Sequence, residues 1–247
     1  MARKAPPDAE PVTAALATRS LQFLRGIDPV FEVDLYRSVG DALPDEVTVE
    51  QALASNVRQI LVPPTEESIE AALIASRRSP DATGGIYPLS FGHQLRLFTN
   101  GGNIRVLIGF GGTSGAGSLL CTFTWPYPGG FAHESMTSLS LKLVQGLTDI
   151  WDAHTTVLYR DAELTPQYNV PGGATVGSCT YFGPELPIDE TQLPPTVEAS
   201  PYRDGTTVIQ RDPSTPLTAD DIRSIRAAAG LPTERPEVRL PKGSRRL

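Results

Sequence analysis

The sequence predicts an α+β protein: an antiparallel β-meander with helices packed on it, followed by a second β-rich half and a C-terminal helix. Three observations predict it. Within residues 95–160 and just before, three β-like runs (94–99, 104–110 and 118–124) are separated by Asn100-Gly101-Gly102-Asn103 and by the glycine-rich stretch 111–117. Short turns rich in Asn and Gly favour hairpins, so these runs are expected to pair antiparallel. Next, Met136, Leu139, Leu143, Leu147, Ile150 and Trp151 recur every three or four residues, the stripe of a helix lying against a sheet. Finally, strands run together instead of alternating one by one with helices, which argues against a doubly wound sheet.

The elements follow in order. Residues 1–11 form a polar leader expected to be mobile. A first helix is expected over 12–25, anchored by Leu16, Leu21, Phe23 and Leu24 and stopped by Gly26. Residues 29–37 alternate apolar and charged side chains and read as a half-buried strand. Thr48 with Gln51 makes a capping box that opens a helix with Val49, Leu53, Val57 and Ile60 on one face, ended by Pro63-Pro64. Thr65 caps another helix, with Glu66 and Glu67 in its first turn and Arg77-Arg78 in its last, matching the helix dipole at both ends. The meander, the turn Trp125-Pro126-Tyr127-Pro128, the long helix and a run at 155–160 come next. A Pro/Gly-rich loop at 165–173 leads to β-like runs at 174–182, 196–199 and 206–210. Thr218 with Asp221 caps a last helix carrying Ile222, Ile225 and Ala229, closed by Gly230-Leu231-Pro232. One domain over 12–232 is expected, divisible into halves at 164/165, with 233–247 a basic, flexible tail.

Composition bounds the class. The 247 residues can bury a sizeable core without staples. Twenty-two glycines and 23 prolines exceed the usual share of about 12%, and their place between periodic segments makes them turn residues. No run of about 18 apolar residues marks a membrane span, and the N-terminus lacks a secretory h-region. Two cysteines, Cys121 and Cys179, each inside a β-like run, read as small buried residues of a reduced, cytoplasmic protein. The formal charge is −7, yet from Thr233 onward five basic residues face two acidic ones, +3, which leaves −10 on the rest. An acidic body disfavours nucleic acid as ligand and suits a basic protein partner.

The motifs name no chemistry. Residues 109–117 lack the Gly-Lys-Ser/Thr ending of a phosphate loop, and a β-run follows them, so they read as a hairpin turn. His93, His133 and His154 show no metal-ligand spacing; no metal and no cofactor are expected. Gly115-Ala116-Gly117-Ser118 is not a nucleophile elbow. Trp125 and Trp151 read as packing residues. Three acidic clusters, Asp41/Asp45/Glu46, Glu185/Asp189/Glu190 and Asp220/Asp221, are the best sequence-level places to dock a basic protein.

One further pattern has a family likeness. A β-run enters Trp125-Pro126, a helix ends in Asp149-Ile150-Trp151-Asp152, and a β-run follows at 155–159. Then come Gly177 with Tyr181, Leu186-Pro187, Leu193-Pro194-Pro195 and Gly205-Thr206-Thr207-Val208-Ile209, with a closing helix. Thr18-Arg19 in a first helix and Asp28-Pro29-Val30-Phe31 fit the front. Over residues 16–231 this succession resembles the immunity protein 52 family of bacterial polymorphic-toxin systems. The resemblance implies a non-enzymatic protein that binds and neutralises a cognate toxin, a class that includes restriction-endonuclease-fold nucleases. Its expected interface is the loop carboxylates Asp41, Asp45, Glu46, Glu185, Asp189 and Glu190 with Trp125 and Tyr127 of the Trp-Pro-Tyr-Pro turn, since aromatics and desolvated charges carry such interfaces. Two rivals stand beside it: a small hydrolase using Ser118 or Cys121 with His133, and an adaptor in a secretion or phage assembly with the tail as docking peptide.

Overall fold

The computed structural model describes residues 2–3, 10–27, 34–39, 58–78, 93–98, 104–110, 118–123, 133–167, 170 and 174–234. Helices and strands are mixed, every described strand pairing is antiparallel, and a helix closes the C-terminal region, so the α+β class holds. By backbone proximity the chain forms two compact units: unit 1, Met1–Phe131 with Gly146–His154, and unit 2, Ala132–Gln145 with Thr155–Leu247. The segment 132–145 thus groups with the C-terminal unit and 146–154 with the N-terminal one.

Unit 1 carries strands β1 (Ala2–Arg3), β2 (Leu35–Val39), β3 (Arg58–Val62), β4 (His93–Phe98), β5 (Ile104–Phe110) and β6 (Ser118–Phe123), in the order β3-β2-β4-β5-β6-β1. The meander β4-β5-β6 is paired as its turn chemistry predicts, with Leu95 opposite Ile108 and Ile108 opposite Leu119. Two expectations are corrected here. Residues 58–62 are a strand and not the end of a helix. The spacing of Val49, Leu53, Val57 and Ile60 suggested a helix, but Leu61 is 47% exposed and Val62 only 4%, the two-residue alternation of a strand. Pairing with β2 along Leu35↔Val62 to Val39↔Arg58 overrides the local periodicity, and Pro63 ends a strand instead; residues 41–57 lie outside the described set. Of the strand expected at 29–37, residues 35–37 lie in the strand Leu35–Val39, and residues 29–33 lie outside the described set. The leader is not wholly unstructured either, because Ala2 pairs with Ser118.

Helix α1 (Glu10–Ile27) begins two residues before its expected start and passes Gly26 by one. Ala14, Ala17, Leu21 and Leu24, spaced three and four apart, form its buried stripe; the two alanines let α2 (Glu66–Arg78) approach, whose Ile69, Ala72 and Leu73 are buried. Thr65 caps α2 as predicted, its Oγ1 accepting from the Ser68 amide at 3.3 Å. Helix α3 (His133–Trp151) is the long amphipathic helix, and its residues from Gly146 onward belong to unit 1. There Trp151 is fully buried and its Nε1 donates to Ser20 Oγ at 2.7 Å, while Ser20 Oγ donates to the Leu16 carbonyl at 2.8 Å.

Unit 2 is a sheet covered on both faces. Strands β7 (Ala153–Leu158, in unit 2 from Thr155), β8 (Cys179–Phe182), β9 (Val197–Tyr202) and β10 (Gly205–Gln210) lie in the order β7-β8-β10-β9. Alternation sends Cys179, Tyr181 and Ile209 to one face, where they meet Val144 and Leu141 of α3. Phe182, Val208 and Val197 point to the other, against Ile222 and Ile225 of helix α5 (Ala219–Ala228). Two covered faces explain why all four residues of β8 are buried. Helix α5 has the predicted start and stop. Thr218 Oγ1 accepts from the Asp221 amide and Asp221 accepts from the Thr218 amide, a complete capping box. At the other end Leu231 N donates to Arg226 O and Gly230 N to Ala227 O, with Gly230 at φ 65°; this is a Schellman stop, which glycine adopts without penalty. Among the described residues no helix is long and apolar enough to cross a membrane.

Candidate functional site

The strand expected over 174–182 is regular only from Cys179, and the reason leads to the centre of unit 2. Backbone groups of residues 176–178 are satisfied by side chains instead of by a strand. Val176 N donates to Gln167 Oε1 at 2.9 Å, and Gln167 Nε2 donates to Val176 O at 2.7 Å, as a neighbouring strand would. Ser178 N donates to Glu163 Oε2 at 3.1 Å, and Ser178 Oγ to Glu163 Oε1 at 2.6 Å. Glu163 comes from the short helix α4 (Asp161–Leu164), and Gln167 from the 3-10 turn Thr165–Gln167 that continues it.

Glu163 is 0% exposed, and its carboxylate gathers four donors from the chain. Besides the two from Ser178, Arg160 N reaches Oε2 at 3.1 Å and Leu217 N reaches Oε1 at 3.2 Å. Four donors match the roughly four lone-pair sites that a carboxylate offers. Arg226 completes the network from α5. Its Nε donates to Pro232 O at 2.7 Å, and one terminal nitrogen donates to Ala174 O at 2.7 Å and to Gln167 Oε1 at 3.2 Å. Burial pushes this guanidinium below its ordinary pKa, and the neutral acceptors around it offset part of that cost. The ensemble fixes the segment before β8, the approach to α5 and the chain after it relative to one another within unit 2.

That scaffold holds an acidic surface. The loop from Gly183 to Thr196 is pinned by Leu186, Ile188 and Leu193, which pack on the Phe182/Val208/Ile222 cluster, and by Asp189 N donating to Ala228 O at 2.9 Å. Glu185, Asp189 and Glu190 are all exposed on it. The Asp189 carboxylate accepts from Thr191 Oγ1 at 2.6 Å, Gln192 Nε2 at 2.7 Å and Thr191 N at 3.1 Å, bonds that hold it below the usual carboxylate range and keep it charged. Its oxygens shape the loop. Thr196 Oγ1 donates to Asp221 at 2.8 Å and so ties the same loop to the acidic start of α5, where Asp220 pairs with Arg223. Two of the predicted acidic clusters are thus linked through α5, one on the loop bonded to its last residue and one in its first turn.

The remaining candidates fall elsewhere. Asp41, Asp45, Glu46, Trp125 and Tyr127 lie outside the described residues. Ser118 opens β6 and Cys121 lies within it, in unit 1; His133 is the first residue of α3, in unit 2. Cys179 is a free, buried thiol whose pKa desolvation pushes up to about 12, so it is inert at neutral pH. Among the described residues no group of three or more His, Cys, Asp or Glu side chains could hold a metal ion. Sequence reasoning missed Glu163, Gln167, Ser178 and Arg226. Only Arg226 left a signal: it sits on the apolar stripe of α5 with Ile222, Ile225 and Ala229, where an unpaired cation would be costly. No protein-family model matches the chain, and no curated protein or solved structure matches it.

Proposed function

We propose that this chain is a non-enzymatic immunity protein that acts in the cytoplasm, binding a basic bacterial toxin, such as a nuclease, through the acidic face of unit 2. The observation that carries this reading is the pinned loop with Glu185, Asp189 and Glu190 exposed, bonded to the last residue of α5 through Asp189 and to its acidic start through Thr196. Residues 174–232 contain eight acidic and four basic side chains, and one of the four, Arg226, is 3% exposed. A negative surface of this kind speeds and orients the approach of a positively charged partner. Fixing the loop before the encounter reduces the ordering cost that binding must overcome. A nuclease, with the positive charge its DNA cleft requires, is the partner this potential suits best. The family likeness in the sequence points the same way.

Co-expression with the toxin encoded by the adjacent gene tests the reading. Cells producing both are expected to survive, and the two proteins are expected to co-purify with an affinity that weakens as salt rises. The double variant Glu185→Lys/Glu190→Lys is expected to bind on the order of tenfold or more weakly while melting at the wild-type temperature. Death of cells in which the chain is abundant and folded would remove the proposal for that toxin.

A further inference from the structure

Strand β9 ends the strand order of unit 2, which makes its outer side a place where another strand could add. Its register with β10 identifies the backbone groups on that side. Arg211 N donates to Thr196 O at 2.9 Å, so the pair 196/211 exchanges hydrogen bonds, and the pairs 198/209, 200/207 and 202/205 follow at two-residue steps. The backbone groups of Val197, Ala199 and Pro201 therefore face away from β10.

Each of the two ends of this row is blocked. Pro201 has no N–H to offer. Val197 N donates back to Pro194 O at 3.2 Å, and Val197 O accepts from Arg211 Nε at 3.0 Å. The Arg211 side chain is held across β9 by a second contact, NH1 to Glu198 Oε2 at 3.0 Å. Of the three outward amides, only that of Ala199 remains to donate to an incoming strand. We propose that Arg211 and Pro201 form an edge lock that prevents β9 of one molecule from pairing with β9 of a second copy. An exposed ion pair adds little stability, and little is needed: the guanidinium has only to occupy the carbonyl that a second strand would use. The proposal is independent of the toxin-binding reading. It also requires a partner that approaches the outer side of β9 to be recognised by side chains and not by strand addition.

The test is the double variant Arg211→Ala/Pro201→Val, compared with wild type by sedimentation velocity over a hundredfold concentration range. The double variant is expected to self-associate as concentration rises, at concentrations where wild type does not change. Hydrogen exchange is expected to slow at the amides of positions 199 and 201 only in the concentrated sample, which separates edge pairing from non-specific aggregation. A double variant with a native circular dichroism spectrum and wild-type sedimentation throughout would overturn the proposal. So would association without added protection at positions 199 and 201. If the double variant does not fold, Pro201→Val with Arg211→Lys is read by the same two measurements, because lysine lacks the fork that joins Val197 O to Glu198.

Discussion

Helix α1 of unit 1 and the surroundings of Glu163 in unit 2 treat buried polar groups in opposite ways. In unit 2, Glu163, Gln167, Ser178 and Arg226 are buried, and each is hydrogen-bonded to backbone or to another member of the network. In unit 1, α1 buries Thr13 and Thr18 with hydroxyls that have no partner; of its three buried polar residues, Ser20 alone bonds another element, through Trp151. Backbone regularity explains the difference. A helix satisfies its own N–H and C=O groups, so a hydroxyl on its buried face is optional. The segments 174–178 and 213–217 have no ladder on which to spend their backbone groups, and side chains must take that place. The polar residues around Glu163 are structural parts, and Thr13 and Thr18 of α1 are tolerated passengers. Thr207 Oγ1 and Gln210 Oε1, on a regular strand of unit 2, are also without partners, which ties the rule to backbone regularity and not to the unit.

The strongest way to break the comparison is to remove the hub. Glu163→Ala leaves three backbone amides and the Ser178 hydroxyl buried without an acceptor, at a cost on the order of 4 kcal/mol by chemical denaturation. A loss below about 1 kcal/mol would mean that water or a local shift replaces the carboxylate. The corresponding weak point in unit 1 is steric. A Cβ on Gly146 would lie 2.1 Å from Phe23 Cζ, so Gly146→Ala is expected to cost about 2 kcal/mol through overpacking. Adding Phe23→Leu is expected to recover part of that loss, so that the double variant is more stable than the sum of the singles implies.

These weak points also mark how far the sequence could be read. The meander, α3, the caps of α2 and α5, and the Gly230 stop were legible because each follows from local chemistry: turn residues, a 3.6-residue stripe, and Thr or Gly at a helix end. Strand β3 was misread because Ile60 fits a helical face as well as a strand, and only pairing with β2, distant in sequence, decides between them. The Glu163 network was invisible for a similar reason. Its members come from positions 160–167, 176–178, 217 and 226, and a lone Glu or Gln in a turn looks like solvated surface until the fold closes over it. Of the candidate interface, Glu185 and Glu190 were legible as exposed loop carboxylates, whereas the local role of Asp189 required its bonds to Thr191 and Gln192 to be seen.

Smaller changes sharpen the contrast. Thr218→Ala removes the cap of α5 and is expected to cost about 1 kcal/mol at pH 7. That cost is expected to depend on acid. Partial burial acts to raise the Asp221 pKa, but the hydrogen bonds from Thr218 and Thr196 outweigh it and hold the folded value below the ordinary one. A depressed carboxylate stabilises the fold above its unfolded pKa, near pH 4, and that contribution is lost as pH falls through the folded value. The melting difference between wild type and Thr218→Ala should therefore narrow below about pH 4. A constant difference down to pH 2 would assign the effect to the threonine alone. In α1 the sign reverses. Thr18→Val exchanges an unpartnered buried hydroxyl for a methyl of similar size, and a gain of up to about 1 kcal/mol is expected. A loss of stability would show that the hydroxyl is satisfied in solution and would remove the contrast with Glu163.

The smallest effect concerns backbone regularity itself. Arg203 and Asp204 form the two-residue turn between β9 and β10, and Arg203 holds φ 51°, a conformation that costs a non-glycine residue roughly 1 kcal/mol. Arg203→Gly relieves that strain but gives the unfolded chain more freedom, worth about 0.4–1 kcal/mol in the opposite direction. The expected net gain is correspondingly small, about 0.5 kcal/mol or less, and measurable as a modest rise in melting temperature. Charge acts against that gain, because the same substitution removes a cation from the acidic unit. Arg203→Ala separates the two causes. Alanine loses the charge and keeps the strain, so it should give no gain if the backbone is the source. Equal changes in the glycine and alanine variants would assign the effect to the charge and leave the turn conformation without a measurable cost.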